Sequence, residues 1–411
     1  MSRLSELIAE LCPDGVEYRA LGDVGTFMRG SSFQKKHFVG EGVPCIHYGQ
    51  VHTQFDIATD YTVAYLDEGF AANMRRAKPG DLIIATTSED DDAVGKAVAW
   101  LGESDVVVSN DAYIYRHELE PKYMAYFFAS ELFQEPKRHF ITGTKVRRIN
   151  DKSMSRIRIP VPPIEVQREV VRILDEYTAA HDELVEQLGQ EIELVSKQCE
   201  IALVHLNDDL VSRGYPFEPL GDHADVLSGF PFKSSGYVDE GVPVCGGVSI
   251  MPGYVDWTTC RYWPSAENLD QFTLKSDDIV MALDRPWVSG GFKLAQISED
   301  DEGALLVQRT ARIRGKDMIQ AYVRSLMEMD AFRKHCAATG NTVPHVSHKK
   351  IKSYMVPVPP IDEQENYVRK ACGITLATNA IVKNLIIERA YREQQLNLVR
   401  NHLLSFPEKV S

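Results

Sequence analysis

No run of apolar residues in this 411-residue chain approaches the roughly 18 needed to cross a bilayer, and the first residues lack the apolar segment of an export signal. Neither membrane insertion nor secretion is expected. Cysteine is scarce: the seven (Cys12, Cys45, Cys199, Cys245, Cys260, Cys336, Cys372) form no C-x-x-C pair, which leaves no zinc framework and fits reduced, buried thiols in a cytoplasmic protein. Common enzymatic signatures are missing too. There is no G-x-x-x-x-G-K-[ST] loop, no H-E-x-x-H, no G-x-S-x-G and no glycine-rich loop after a strand to cradle an adenosyl cofactor. Asp81, Glu89 and Lys96 lack the acid-x-lysine spacing of metal-dependent nucleases, and His335, Cys336, His345 and His348 fit no usual zinc spacing. They read more simply as a strand-end aspartate, a solvated acidic loop, and satisfied or phosphate-facing histidines.

What is present is a repeat of about 200 residues. Residues 159–171 contain Pro160, Pro162, Pro163, Ile164 and Gln167, and each recurs 197 positions later as Pro357, Pro359, Pro360, Ile361 and Gln364. Three prolines in four positions fix φ and remove N–H donors, so the chain leaves a globular unit in a stiff extended conformation. The last proline suits a first helical turn, and Glu165, Glu169, Asp362 and Glu363 suit the positive end of a helix dipole. At an offset of 199, Leu21-Gly22-Asp23, Gly30-x-x-Phe33 and Gly42-Val43-Pro44 return as Leu220-Gly221-Asp222, Gly229-x-x-Phe232 and Gly241-Val242-Pro243.

Short aliphatic runs at 81–85 and 278–282, and at 106–115 and 305–314, read as paired strands; 122–139 and 318–338 read as helices. A short helix is expected near the start, over 5–12. After each proline run the apolar period becomes helical. Leu188, Ile192, Val195, Cys199, Ala202 and Leu206 form one heptad-like seam, and Ala377, Ile381, Asn384, Glu388, Tyr391, Gln395 and Leu398 a second. Two helices following equivalent domains are expected to pack on each other. The fold class is therefore α+β: two similar strand-rich domains, 1–160 and 213–357, joined by two long antiparallel helices, 161–212 and 358–411, in a pseudo-twofold repeat.

Charge is uneven. The net −14 speaks against a nucleic-acid partner, but residues 161–210 hold 3 basic against 12 acidic groups, a net of −9 on one helix. By contrast, Lys137, Arg138, Lys145, Arg147, Arg148, Lys152, Arg156 and Arg158 face a single acid, Asp151, between residues 137 and 158. The matching stretch of the second unit holds Arg333, Lys334, Lys349, Lys350 and Lys352 and no acid between Ala331 and Ile361. Such clusters neutralise DNA phosphates and position a duplex.

In this order and in duplicate, Leu-Gly-Asp, Gly-x-x-Phe, Gly-Val-Pro, strand, basic segment, Pro-x-Pro-Pro-Ile-x-x-Gln and long helix resemble the DNA-specificity subunit of Type I restriction-modification enzymes. Residues 391–395 and 399–406 also resemble the end of that family's second conserved helix. The resemblance implies a non-catalytic subunit with two target-recognition domains, each reading half of a bipartite DNA site whose spacing the helix pair sets. It implies partners: double-stranded DNA, two modification subunits that carry S-adenosylmethionine, and two restriction subunits that use ATP and Mg. No cofactor is expected in this chain.

Base-reading residues do not transfer by resemblance, because they vary with specificity. The expected phosphate contacts are Lys145, Arg147, Arg148, Lys152, Lys349, Lys350 and Lys352. The loops 86–96 and 283–293 are expected among the readers, with Arg285 on a guanine and Lys293 also on DNA. Pro160, Pro162, Pro163, Gln167, Pro357, Pro359, Pro360 and Gln364 are expected to serve scaffold and subunit docking. The acidity of the first helix assigns it to protein partners. Two other readings stand beside this one: a DNA adenine methyltransferase in which Asp284-Arg285-Pro286-Trp287 is a degenerate [DN]-P-P-[FYW] motif, and a coiled-coil interaction scaffold.

Overall fold

Each proline run closes a strand and opens a helix. Strand Arg158–Pro160 pairs antiparallel with Tyr18–Ala20, and Met355–Pro357 pairs with Phe217–Pro219 in the same way. The residues that follow the last prolines begin two long helices, α1 (Ile164–Ser212) and α2 (Ile361–Leu404). At 1.5 Å per residue these are about 73 and 66 Å long. The computed structural model describes residues 2–288, 291–336 and 345–409. It divides into one unit of Met1–Gln190 with Leu385–Ser411 and another of Glu191–Asn384, so both helices are shared between units.

In the first unit, a five-stranded sheet runs in the order Gly25–Arg29, Ala112–His117, Leu82–Ala85, Ala97–Trp100, Ala58–Thr59. A second runs Phe38–Val39, Tyr65–Leu66, Val43–Ile46, Val106–Val108, Arg76–Ala77. Leu82–Ala85 is apolar at every position because both of its faces are covered. Ile83, with Ile114 and Val98, packs toward Ile46, Val51 and Val106, whereas Leu82 and Ile84 lie with Tyr115 against the helix Pro121–Ala129. The second unit repeats the scheme with fewer strands. Ala224–Ser228, Thr310–Gly315, Ile279–Ala282 and Leu294–Gln296 form one sheet, and Arg261–Trp263, Val242–Cys245 and Leu305–Leu306 another.

The repeated Gly-x-x-Phe has a packing reason. A Cβ on Gly30 would lie 2.1 Å from the Ser109 carbonyl oxygen, and one on Gly229 2.0 Å from that of Val307. Only glycine lets the backbones approach so closely. Phe33 and Phe232 are buried in their respective cores.

Three expectations are corrected. The helices expected over 122–139 and 318–338 are each two, Pro121–Ala129 then Glu131–Arg138, and Gln320–Glu328 then Asp330–His335, because Ser130 and Met329 are extended; residues 337 and 338 lie outside the described ones. The runs 106–115 and 305–314 each divide into two strands of different sheets, separated by a turn. In α2 the seam is displaced. Ala377, Ile381, Asn384, Tyr391 and Leu398 are exposed, while Ala371 and Leu396 are buried and Ile374, Thr378, Val382 and Leu385 half-buried. Apolar residues on every side of this helix, Leu376, Ile386 and Ile387 among the exposed ones, left its inner face undetermined by pattern. The α1 seam is as expected: Leu188 is buried and Ile192, Val195, Cys199, Ala202 and Leu206 are half-buried.

Each unit pairs the head-proximal end of one helix with the far end of the other. In the first, Val166, Val170 and Leu174 of α1 share a core with Leu404 and Phe406. The chain then returns to the first head: Val16 N–H donates to the Pro407 carbonyl at 2.8 Å, and the Tyr18 hydroxyl donates to the Phe406 carbonyl at 3.0 Å. In the second, Leu203, Leu206 and Leu210 of α1 pack with Tyr367 and Ala371 of α2. Within each unit the two helices are therefore antiparallel. Among the described residues no helix is long and apolar enough to cross a membrane.

Candidate nucleic-acid interface

The first unit brings the loop 86–96 and the basic segment together. Thr87–Ser88 pairs antiparallel with Arg147–Arg148, in the register Arg147↔Ser88 and Arg148↔Thr87. Gly143, in the left-handed region at φ +97°, lets the segment fold back so that Thr142 bridges Arg148. Lys145 and Arg148 are exposed. Arg147 is half-buried, held by the Asp91 carboxylate at 2.8 Å and the Gly143 carbonyl at 2.6 Å. Lys152 is exposed on the short helix Asp151–Met154, which Asn150 caps by accepting from Ser153 N–H at 2.9 Å.

Other members of this run have internal work. Lys137 is fully buried, and its ammonium donates to the carbonyls of Asp92 (3.0 Å) and Val94 (2.9 Å) and to Gln134. Burial pushes its pKa down to about 8. Arg158 donates to Glu408 and lies over the Tyr18 ring, so it fastens the chain's end.

The second unit repeats the ladder with different chemistry. Asp284 bridges His345, and Val346 N–H donates to the Leu283 carbonyl at 2.8 Å; these are the positions of Thr87 and Arg148 shifted by 197. Asp284 accepts from Arg309 at 2.6 Å and from His345 Nδ1 at 2.7 Å. Burial alone would raise its pKa, but these two partners hold it below the usual carboxylate range. Beside it lies a cavity of about 390 Å³, lined by Arg261, Asp284, Arg285, Lys293, Gln308 and Arg309 among others. Lys349 and Lys352 are exposed and Lys350 half-buried on the helix His348–Lys352; Lys349 occupies the place of Lys152.

Lys293 is corrected. It is buried and its ammonium donates to the Gly247 carbonyl, as its repeat partner Lys96 does to Phe55 at 2.8 Å; both tether loops instead of reaching out. Gln167 and Gln364 are buried as well, which excludes them from direct contact with another subunit. Gln167 accepts from Glu120 N–H at 3.0 Å and donates to the Pro162 carbonyl at 2.7 Å; Gln364 accepts from Ile319 N–H and donates to the Pro359 carbonyl, both at 2.9 Å. Each glutamine fastens a head to its helix. Pro160, Pro162, Pro357 and Pro359 are buried beside them, Pro163 is half-buried and Pro360 exposed.

The residues considered for other chemistry disperse. Asp81 is buried in a pair with Arg116 at 2.6 Å, and Asp278 repeats this with Arg314. His335 lies 2.9 Å from the Lys350 carbonyl, His345 is on Asp284, and Cys336 is buried with its thiol pushed up to about 11 by desolvation. Among the described residues no group of His, Cys, Asp and Glu could hold a metal ion. Residues 284–287 lead into an antiparallel strand pair, Trp287–Val288 with Gly291–Phe292, where the rings of Trp287 and Phe292 meet at 4.6 Å, tilted by 52°. Arg309 and Arg261 were not singled out from sequence. The signal available was divergence between the repeats, since Arg309 stands opposite Asn110.

Residues 13–194 match the family model of the Type I restriction modification DNA specificity domain. The specificity subunit of the Type I restriction enzyme EcoKI from Escherichia coli K12 is 23% identical over 404 residues, 91% of this chain and 85% of that protein. Residues 13–194 thus carry a Type I DNA specificity domain, and the chain is similar to Type I specificity subunits along most of its length. The MjaVIII specificity subunit of Methanocaldococcus jannaschii is likewise 23% identical, over 80% of each chain. A solved chain from a study of complex assembly and conformational transition of the type I R-M system shares the fold, with a TM-score of 0.69 at 16% identity over 95% of this chain and 98% of that one.

Proposed function

We propose that this non-catalytic subunit gives a Type I restriction-modification complex its DNA sequence specificity by reading a bipartite, asymmetric site, one half with each head. Lys145, Arg147, Arg148 and Lys152 contact phosphates in the first half-site, and Lys349, Lys350 and Lys352 in the second. Arg285 contacts a base. The observation that carries this reading is the same ladder, Thr87 with Arg148 and Asp284 with His345, which sets a divergent loop beside a basic segment in both units of an acidic protein. Phosphate contacts fix register, and the divergent loops supply unlike readout. The helices dock two modification subunits, which bring S-adenosylmethionine, and with them two restriction subunits that use ATP and Mg. The lengths of α1 and α2 set the separation of the half-sites.

The test is charge reversal at three exposed cations, Lys145→Glu, Arg148→Glu and Lys152→Glu, in the assembled complex. Each lost phosphate contact lowers the slope of log affinity against log salt by about 0.9, so a decrease of about 2.7 is expected. Unchanged affinity and slope would place the DNA elsewhere, and methyl transfer by the purified chain alone would overturn the non-catalytic role.

A further inference from the structure

Two arginines of the second unit occupy a backbone region that strains residues with a side chain. Arg309 has φ +66° and Arg285 φ +46°, and both line the cavity beside Asp284. Arg309 sits in the turn between Leu305–Leu306 and Thr310–Gly315, where the first unit has Asn110 with an ordinary negative φ. Asparagine or glycine suits a left-handed turn; an arginine does not, and such strain collects at functional sites.

The surroundings distinguish Arg309 from the exposed lysines Lys145 and Lys152. Its Nη1 donates to Asp284 Oδ2 at 2.6 Å, while Asp284 Oδ1 is taken by His345 Nδ1 at 2.7 Å. The arginine side chain is nevertheless 69% exposed, and its other N–H groups have no partner among the described residues. A neighbouring carboxylate weakens attraction for a phosphate. It also fixes the plane of the guanidinium fork, which bidentate recognition requires. Arg261, stacked over the Tyr237 ring at 5.1 Å, and Arg285 supply positive charge around the same cavity without a carboxylate brace. The base edge that presents two adjacent acceptors to such a fork is that of guanine.

We propose that Arg309 is a specificity-determining residue of the second head, reading a guanine through O6 and N7, and that Asp284 is its positioning residue. This rests on the DNA-reading function above.

The assembled complex, this chain with its modification subunits, is given a duplex library randomised across both half-sites, and the methylated molecules are sequenced. Arg309→Lys keeps the charge and removes the fork. It is expected to reduce preference for guanine at one position of one half-site by about tenfold to a hundredfold, with the other half-site unchanged. That unchanged half-site also reports that the chain folds and assembles. Asp284→Asn is expected to relax the same position to a smaller degree. A uniform loss across all sequences with Arg309→Lys, or an unaltered motif with both variants, would overturn the assignment. Absence of any bipartite motif with the unmodified complex would instead refute the DNA-reading function itself.

Discussion

Replacing Gln167 by alanine isolates the contribution of the amide that fastens the first head to α1. The substitution removes two hydrogen bonds and leaves the buried Pro162 carbonyl and the part-buried Glu120 N–H without their partner. An unsatisfied buried polar group costs about 1–3 kcal/mol, with the less buried N–H toward the low end, so a loss of about 2–3 kcal/mol is expected. For a unit of this size each kcal/mol moves the melting temperature by about 2–4 °C, giving a shift of about 4–12 °C. Gln364→Ala should do the same to the second unit, since its two bonds are equivalent. Gln167→Glu adds a further signature: a carboxylate can accept from Glu120 N–H but cannot donate to Pro162 unless protonated. Its folded pKa would therefore be raised, and the variant should be less stable at pH 8 than at pH 5. Calorimetry of the full chain across this range measures both effects. A shift below about 0.5 kcal/mol for both alanine variants would refute the claim that these amides fasten heads to helices.

Gly30→Ala and Gly229→Ala should each destabilise their own unit by about 3 kcal/mol or more, because the added methyl meets a fixed carbonyl; normal melting of either variant would contradict the close approach. Asp278→Ala removes the carboxylate that holds Arg314 and accepts from Lys275 N–H, and a loss of about 3 kcal/mol is expected by denaturant titration. His223 lies between Glu218 (2.9 Å) and Asp317 (3.0 Å). Burial disfavours its charge, but the two carboxylates prevail and raise its pKa above 6.5. Its stabilisation of the second unit is therefore full below pH 6.5 and lost as pH rises through the folded value, about 0.5–1 kcal/mol with such solvated partners. The stability difference between pH 6 and pH 8 should flatten in His223→Asn, as followed by thermal melts.

Local chemistry with one physical outcome was legible in the residues themselves. Clustered prolines can only stop a strand and admit a helix, so Pro160 to Pro163 and Pro357 to Pro360 marked the junctions, and the duplicated order of motifs determined a duplicated architecture. The apolar period of α1 identified its inner face, and its acidity separated that helix from the basic segments. Tertiary structure alone decided which polar groups remain available. Lys293 and Lys96 look like surface cations in sequence, yet each reaches a carbonyl across the fold. Lys137 belongs to a basic run and is enclosed by the carbonyls it fastens. Gln167 and Gln364 stand in a repeated motif, but their partners Glu120 and Ile319 are 47 and 45 positions away. Arg309 carries no motif; its left-handed turn and its bond to Asp284, itself held by His345, exist only in the fold. A side chain's role depends on what folding places within about 3 Å of it, and neither composition nor period encodes those distances.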